Sequence, residues 1–255
     1  MNQVVGTVRN HARRYRDLLD QQWSKTDWSR PQAEQVLRRM DQVLEQLPKA
    51  RQQARQRILE GQAVPNAEKI LSLYEADVHV IVRNKAGAPV EFANTLFLAE
   101  NPQGLIIDWE FFAERAPADS DLLPRSVGRM EQAYGPILKA ATADRAFDSK
   151  ANQMGLAQEG IYNGVCPRSV QQLKERAKSW KFNRLQKRRG STEGRIGIVK
   201  NVFLGAPMKS QGAKHRELRV AWTVLGHNLW VLARMQQRAE AEAAAQKAAA
   251  QKAAA

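Results

Sequence analysis

Arg188-Arg189-Gly190-Ser191-Thr192-Glu193-Gly194-Arg195-Ile196-Gly197-Ile198-Val199-Lys200 sets one carboxylate inside a strongly basic run. Between Lys174 and Arg219 only Glu175, Glu193 and Glu217 are acidic. Ser191 and Thr192 are good helix N-caps, and Ile196, Val199 and Phe203 follow at helical spacing. The spacing predicts a helix that starts near Ser191. Glu193 would then lie in its first turn, Arg189 just ahead of it, and Lys200 two turns further along the same face. A carboxylate flanked by cations at a helix start suits a metal ion together with a polyphosphate backbone. It also complements the helix dipole, which is a purely structural use.

The charge around this stretch extends the same reading. The chain has 255 residues, enough for a real core and one or two domains, with a net charge of +14. A pI near 10.2 argues for a polyanionic partner, nucleic acid ahead of an anionic membrane. The excess is uneven. Residues 1–68 carry twelve Lys and Arg against eight Asp and Glu, residues 69–140 seven against ten, and residues 141–255 twenty-one against eight. A basic C-terminal half behind an acidic middle suggests a surface that docks DNA beside a site that holds cations. The single cysteine, Cys166, excludes an internal disulfide and a cysteine metal cage, which fits a reducing cytosol. Met1 to Arg16 has no apolar signal-peptide core. The longest uncharged stretch, Val220 to Ala233, is too short to span a bilayer.

Upstream, residues 1–68 read as helices. Val4, Val8, Tyr15, Leu18 and Leu19 give a ragged stripe; Val36, Leu37, Met40, Leu44 and Leu47 give a cleaner one behind Pro31. Pro48 is expected to interrupt it, leaving a polar Arg- and Gln-rich helix from Lys49 to Leu59. From Lys69 the texture turns to strand: Ile70 to Val82, a turn from Asn84 to Pro89, Val90 to Leu98, a turn at Asn101 to Gly104, and Leu105 to Phe112. Three such strands read as an antiparallel meander. A helix opens near Asp119 and stops at Gly135-Pro136, and Ile137 to Ala143 is a short apolar strand ended by Asp144. A helix from Ser149 to Gln158, a strand from Ile161 to Cys166 and a basic loop follow. Glu217 to Met235 is the last strong helix, with Leu218, Trp222, Leu225, Leu229 and Leu232 as its apolar stripe. The Ala-, Glu-, Gln- and Lys-rich tail beyond Arg238 reads as a solvated, fraying helix. The order is that of an α/β sheet with helices packed on it, in which ligands gather at carboxyl ends of strands. Asp144 stands at such an end.

Three features now converge: Asp144 in Thr142-Ala143-Asp144-Arg145-Ala146-Phe147-Asp148-Ser149, Glu193 in the basic run, and Pro117-Ala118-Asp119-Ser120-Asp121-Leu122-Leu123. With these the chain resembles the DDE transposases of bacterial insertion sequences, whose catalytic domain is ribonuclease-H-like. In that group a strand ending in Asp-x-x-Tyr or Asp-x-x-Phe carries the second catalytic aspartate, matched here by Asp144 and Phe147. The group's catalytic glutamate follows a Tyr and an Arg and precedes a Lys. Arg189, Glu193 and Lys200 fall at that spacing, while the Tyr position is Gln186. Leu225-Gly226-His227-Asn228-Leu229 also looks like that group.

The resemblance covers roughly Lys69 to Met235. It implies a ribonuclease-H-like mixed sheet flanked by helices over 69–235, with a helical segment (1–68) left from an insertion or arm, and a low-complexity tail over 236–255. It implies DNA cleavage and strand transfer at terminal inverted repeats, with two divalent ions, Mg²⁺, held by carboxylates. Asp144 and Glu193 would be catalytic ligands. Arg189 and Lys200, extended by Arg188, Arg195 and Lys187, would hold the DNA backbone. The group's first aspartate sits on a strand upstream of the segment matching Ile70 to Val82, so the expectation is an N-terminally truncated transposase of impaired activity. Alternatively Asp77, or Glu75 beside it, supplies the third ligand, with Asp108 and Asp119 ranking behind. The protein would work in the bacterial cytoplasm on the nucleoid, with a homo-oligomer as a possible partner state and no membrane. The competing readings are a non-catalytic basic DNA-binding protein and a ribonuclease-H-like nuclease unrelated to transposition.

Overall fold

The computed structural model describes residues 2–66, 68–85, 88–205 and 208–253. Two helices open the chain, α1 (Asn2–Gln22) and α2 (Arg30–Ile58). Four strands follow, β1 (His79–Lys85), β2 (Ala88–Ala93), β3 (Thr95–Glu100) and β4 (Ile106–Phe112). Then come α3 (Asp119–Tyr134), β5 (Ala140–Ala141), α4 (Lys150–Gln158), β6 (Tyr162–Asn163), α5 (Val170–Arg176) and α6 (Trp180–Ile198). A π-helical turn (Val199–Leu204) extends α6, and α7 (Ala213–Ala253) closes the chain. The protein mixes helix and strand, as expected. Among the described residues no helix is long and apolar enough to cross a membrane.

The chain divides into two compact units: Met1–Thr95 with Ala113–Arg115, and Leu96–Phe112 with Ala116–Ala255. The first is built on α1 and α2. Arg16 reaches from α1 to Asp41 on α2, Nε to Oδ1 at 2.9 Å. Pro31 opens α2 as expected, and the Ser29 amide is held by Gln32 Oε1 at 2.8 Å. Pro48, however, lies inside α2 and does not break it. A helix-interior proline costs roughly 3 kcal/mol. The second half of α2 is held from outside: Gln53 Nε2 donates to the Ile70 carbonyl (3.1 Å) and its Oε1 accepts from the Ile70 amide (2.7 Å). Gln42 Nε2 donates to the Tyr74 carbonyl at 3.0 Å. These two glutamines take up backbone groups that a strand partner would otherwise use, and the first strand begins only at His79 rather than Ile70.

The expected three-stranded meander is instead two hairpins. β1 and β2 pair antiparallel, His79 opposite Ala93 and Val82 opposite Val90, with an irregularity before the Lys85–Ala88 pair. The turn expected from Asn84 to Pro89 is thus mostly strand, and residues 86–87 lie outside the described ones. The expected strand Val90 to Leu98 breaks at Asn94, whose Nδ2 donates to the Asp77 carbonyl at 2.5 Å. β3 and β4 form their own ladder. Its turn closes on Asn101, whose amide donates to the Leu105 carbonyl (2.9 Å). The Asn101 Oδ1 accepts from the amides of Gln103 (3.0 Å) and Leu105 (2.9 Å).

In the second unit β5 and β6 run parallel, Ala140 opposite Tyr162 and Ala141 opposite Asn163. Their backbone bonds continue past the strands, Gly164 N to Ala141 O (2.7 Å) and Cys166 N to Ala143 O (3.0 Å). Leu123 and Val127 of α3 and Leu156 of α4 bury against Ile161 and Val165, with Ala141, Ala143 and Phe147 packed alongside. A second core joins Ile106 of β4, Val199 of the π turn, and Val220 and Val224 of α7. α7 is anchored there through Asn228, whose Oδ1 accepts from the Ile106 amide and whose Nδ2 donates to its carbonyl, both at 2.8 Å.

The apolar stripe expected to bury α7 faces solvent. Leu218 is 56% exposed, Trp222 63%, Leu225 48% and Leu229 57%. The buried face is Val220, Thr223, Val224, His227 and Val231. α7 carries two apolar stripes, and a period of 3.6 does not say which one meets the core. As expected, the tail is helix, exposed as far as Gln251; the helix runs without a break from the body of α7 to Ala253.

Asn228→Ala leaves the Ile106 amide and carbonyl without partners and is expected to cost about 2–3 kcal/mol. Leu229→Gln, one residue on but exposed, is expected to stay within about 0.5 kcal/mol of the parent. Urea titrations decide this, and comparable losses for the two would put α7 the other way round.

His227 is fully buried, its ring edge-on to Phe203 at 5.5 Å. Burial pushes its pKa below the usual imidazole value, partly offset by its hydrogen bond to Asn228. The unfolded chain therefore takes up a proton near pH 6.5 that the folded chain refuses. His227's contribution is complete above that pH and is lost as pH falls toward the lower, folded-state pKa. The unfolding free energies at about pH 7.5 and about pH 5 should differ more in the parent than in His227→Gln; identical slopes would rule this out.

Candidate nucleic-acid interface

The basic run that opens the sequence reading lies inside a longer helix. Ser179, not Ser191 or Thr192, caps α6, its Oγ accepting from the Phe182 amide at 3.4 Å. The expected basic loop between Cys166 and Ser191 is therefore α5 and most of α6. Glu193 stands toward the C-terminal end of α6 rather than in a first turn, and Arg189 is within the helix rather than ahead of it. Lys200 is exposed and lies in the π turn, beyond the end of α6.

Three faces of α6 do different work. On one, Arg188, Thr192 and Arg195 converge on Glu100 at the end of β3. Arg188 Nη2 lies 2.9 Å from Oε1, Arg195 Nε 2.6 Å from Oε2, and Thr192 Oγ1 donates to Oε1 at 2.7 Å. The Glu100 side chain is only 9% exposed. Arg188 also donates to the Asn101 carbonyl at 2.9 Å. The Arg195 guanidinium lies over Gly104, whose φ is +93° and where an added Cβ would collide with it. Two of the arginines expected to grip DNA are thus held by the protein itself.

A second face reaches the ends of β5 and β6. The Gly164 carbonyl accepts from Thr142 Oγ1 (3.0 Å) and from Gln186 Nε2 (2.7 Å). Gln186 Oε1 accepts from Arg189 Nε (3.3 Å), and Arg189 Nη1 bonds Glu193 Oε1 at 2.6 Å. A polar relay therefore runs from the strand that ends in Asp144 to the helix that carries Glu193. Gln186, the residue that departs from the expected tyrosine, is its central link. Phe182, 1% exposed, buries the start of this helix, and Leu185 packs against Gly164.

Asp144 lies just past the last ladder bond, at the carboxyl end of β5, as expected. It is exposed, and its Oδ1 caps the following 3-10 turn by accepting from the Ala146 amide at 2.8 Å. Phe147 packs into the core, its ring 6.2 Å from Phe97. Asp148 is buried and accepts from Gln153 Nε2 and the Arg168 amide, both at 2.8 Å. Asp108 is held in a fork by Arg129, Nε to Oδ1 at 2.9 Å and Nη2 to Oδ2 at 2.8 Å. That pairing raises the Arg129 pKa. Asp119 is the first residue of α3.

Asp77 is not on a strand: it stands in a turn before β1, in the other compact unit. Among the described residues no three His, Cys, Asp or Glu side chains gather closely enough to hold a metal ion. Asp144 caps a turn through one oxygen, and Glu193 pairs with Arg189.

The third face is open. Trp180 is 72% exposed, and Lys181, Arg184 and Lys187 are exposed around it. The Arg184 guanidinium sits 5.3 Å from the Trp180 ring centroid, and Lys181 Nζ lies 4.1 Å over the Tyr162 ring. Among the described residues no carboxylate pairs with Lys181, Arg184, Lys187 or Lys200. The sequence reading named Lys187 and Lys200 but missed Lys181 and Arg184. An aromatic set among cations from Lys178 to Arg184 was the available signal. Comparison with protein-family models, curated proteins and solved structures finds no match to this chain.

Gly104→Ala is expected to destabilise by more than about 2 kcal/mol, since it strains a positive φ and displaces Arg195 from Glu100. Gly194→Ala, where a Cβ meets nothing within 4 Å, should stabilise by about 0.5–1 kcal/mol. Thermal unfolding of the two variants tests both signs; a stabilising Gly104→Ala would show that the Arg195 contact is not made.

Proposed function

We propose that this chain binds DNA through the open basic face of α6, on a ribonuclease-H-like core of the kind found in bacterial DDE transposases. The observation that carries the reading is that face: Lys181, Arg184 and Lys187 lie on one helix, exposed and with no described carboxylate to neutralise them. Lys200 adds a fourth exposed cation beyond the helix end. Cations arranged along a helix are what a phosphate backbone pairs with, and each contact releases condensed counterions. Arg188 and Arg195 act indirectly, by fixing α6 to β3 so that the face points outward. Arg189 is shared with Glu193 and contributes a weaker field.

Transposition is the second reading, favoured by Asp144 at a strand end and by the relay through Gln186 to Glu193. The resemblance implies Mg²⁺ there, but the described acidic residues do not form its ligand set, so no metal-dependent step is assigned. The first reading is therefore binding, on the bacterial nucleoid, with strand cleavage impaired.

Fluorescence anisotropy on a short duplex at increasing salt tests the binding. A slope of log K against log salt of about −3 to −4 is expected for three to four phosphate contacts. Lys187→Ala with Lys200→Ala should reduce that slope by about 2. A salt-independent affinity, or none, would end the proposal. Glu193→Gln frees Arg189 and should tighten binding a few-fold. In a nicking and joining assay with Mg²⁺ the parent and Glu193→Gln are expected to give the same result. A loss of cleavage confined to the variant would instead establish the catalytic reading.

A further inference from the structure

We infer that Trp180 is a stacking platform for an unpaired base, so that the open face of α6 takes single-stranded DNA as well as duplex. The inference rests on the DNA-binding reading for the class of its ligand. The stacking itself rests on separate observations.

Phe182 is 1% exposed and fixes the rotation of the first turn of α6. A residue two positions earlier on a helix points to nearly the opposite side. Trp180 is therefore held away from the core by the same packing that buries Phe182, and 72% of it is exposed. An indole is costly to leave in water and usually finds apolar cover. Here its neighbours are cations. Arg184, one turn on, places its guanidinium over the ring, 5.3 Å from the centroid, and the residue still stays mostly in solvent. Lys181 is drawn aside over Tyr162, whose hydroxyl lies 3.4 Å from Ser179 Oγ. Tyr162 is half-buried and covered by Lys181, so of these two rings Trp180 is the exposed one.

An exposed aromatic ring beside cations that no described carboxylate neutralises is the pairing that single-stranded nucleic acid uses: stacking for the base, charge for the phosphates. In an intact duplex the base faces are already stacked, so duplex gains only the charge. An apolar protein partner would want more than one exposed ring here, and no described neighbour on this face of α6 supplies another.

The test measures anisotropy of one fluorescein-labelled 20-nucleotide strand, alone and annealed to its complement, with the full-length chain and three variants. Trp180→Ala is expected to weaken single-strand binding about tenfold and duplex binding by less than about twofold. Trp180→Phe should keep most of the single-strand affinity, and Lys187→Ala should weaken both ligands alike. Circular dichroism of Trp180→Ala should match the parent, since the side chain makes no core contact. Equal losses on both ligands, or no loss on either, overturn the inference and leave duplex binding standing. A parent that binds duplex but not the single strand does the same. A parent that binds neither overturns the DNA reading as well. Binding of the parent to anionic phosphatidylglycerol vesicles that is lost in Trp180→Ala, with DNA binding unchanged, would replace the nucleic acid by a lipid surface.

Discussion

Glu100 is the residue on which the second unit turns. Its carboxylate is almost out of water, and a charge so placed is tolerable only if it is matched on several sides. Arg188, Thr192 and Arg195 supply the match from a single helix, at positions one turn and two turns apart. The clamp sets the rotation of α6 about its own axis. Once Arg188, Thr192 and Arg195 face β3, Gln186 must face the ends of β5 and β6, and Trp180, Arg184 and Lys187 must face solvent. The cost of burying one acid thus determines which cations remain free to meet a ligand.

The same economy recurs in the backbone. Asn228 docks α7 on Ile106, Gln53 docks α2 on Ile70, and Asn94 interrupts what reads as one strand. Asn228 and Gln53 use both the donor and the acceptor of the amide, and Asn94 donates through Nδ2, each in place of a neighbouring strand's peptide group. The amide satisfies the backbone and stops the ladder at the same point, which is why the sheets stay small. Gln186 is a fourth instance, like Asn94 on the donor side, bonding the Gly164 carbonyl beside Asp144's strand.

The electrostatics of the candidate interface follow from this division of labour. A net charge of +14 does not by itself locate a surface. Part of it is consumed internally: Arg129 in the fork on Asp108, Arg188 and Arg195 on Glu100, and Arg189 on Glu193. Lys181, Arg184 and Lys187 on α6 and Lys200 in the π turn stay exposed with no carboxylate partner among the described residues. Asp148 is held inside the core and Asp144 at a cap, and no cluster of three forms among the described residues. Charge left over after internal pairing, rather than charge counted along the chain, distinguishes a binding face from a structural one.

Local chemistry was sufficient for much of this chain: α3 with its Gly135 stop, the Ser149 cap of α4, the short strand before Asp144, the amphipathic start of α2. Each is written in neighbours within a turn or two, where propensity and capping act. Three things were not local. Glu100 and Arg188 are far apart along the chain, so nothing near the basic run marked two of its arginines as internal. Ser179 and Ser191 are both competent caps, and the burial of Phe182 favours the first. α7 has two apolar stripes, and only the amide of Asn228 on β4 decides which one is buried. Sequence determined which segments could be helix or strand. The tertiary structure decided which face of each helix was used up, because a buried charge or an unmet backbone group is satisfied by whatever partner the fold brings to it.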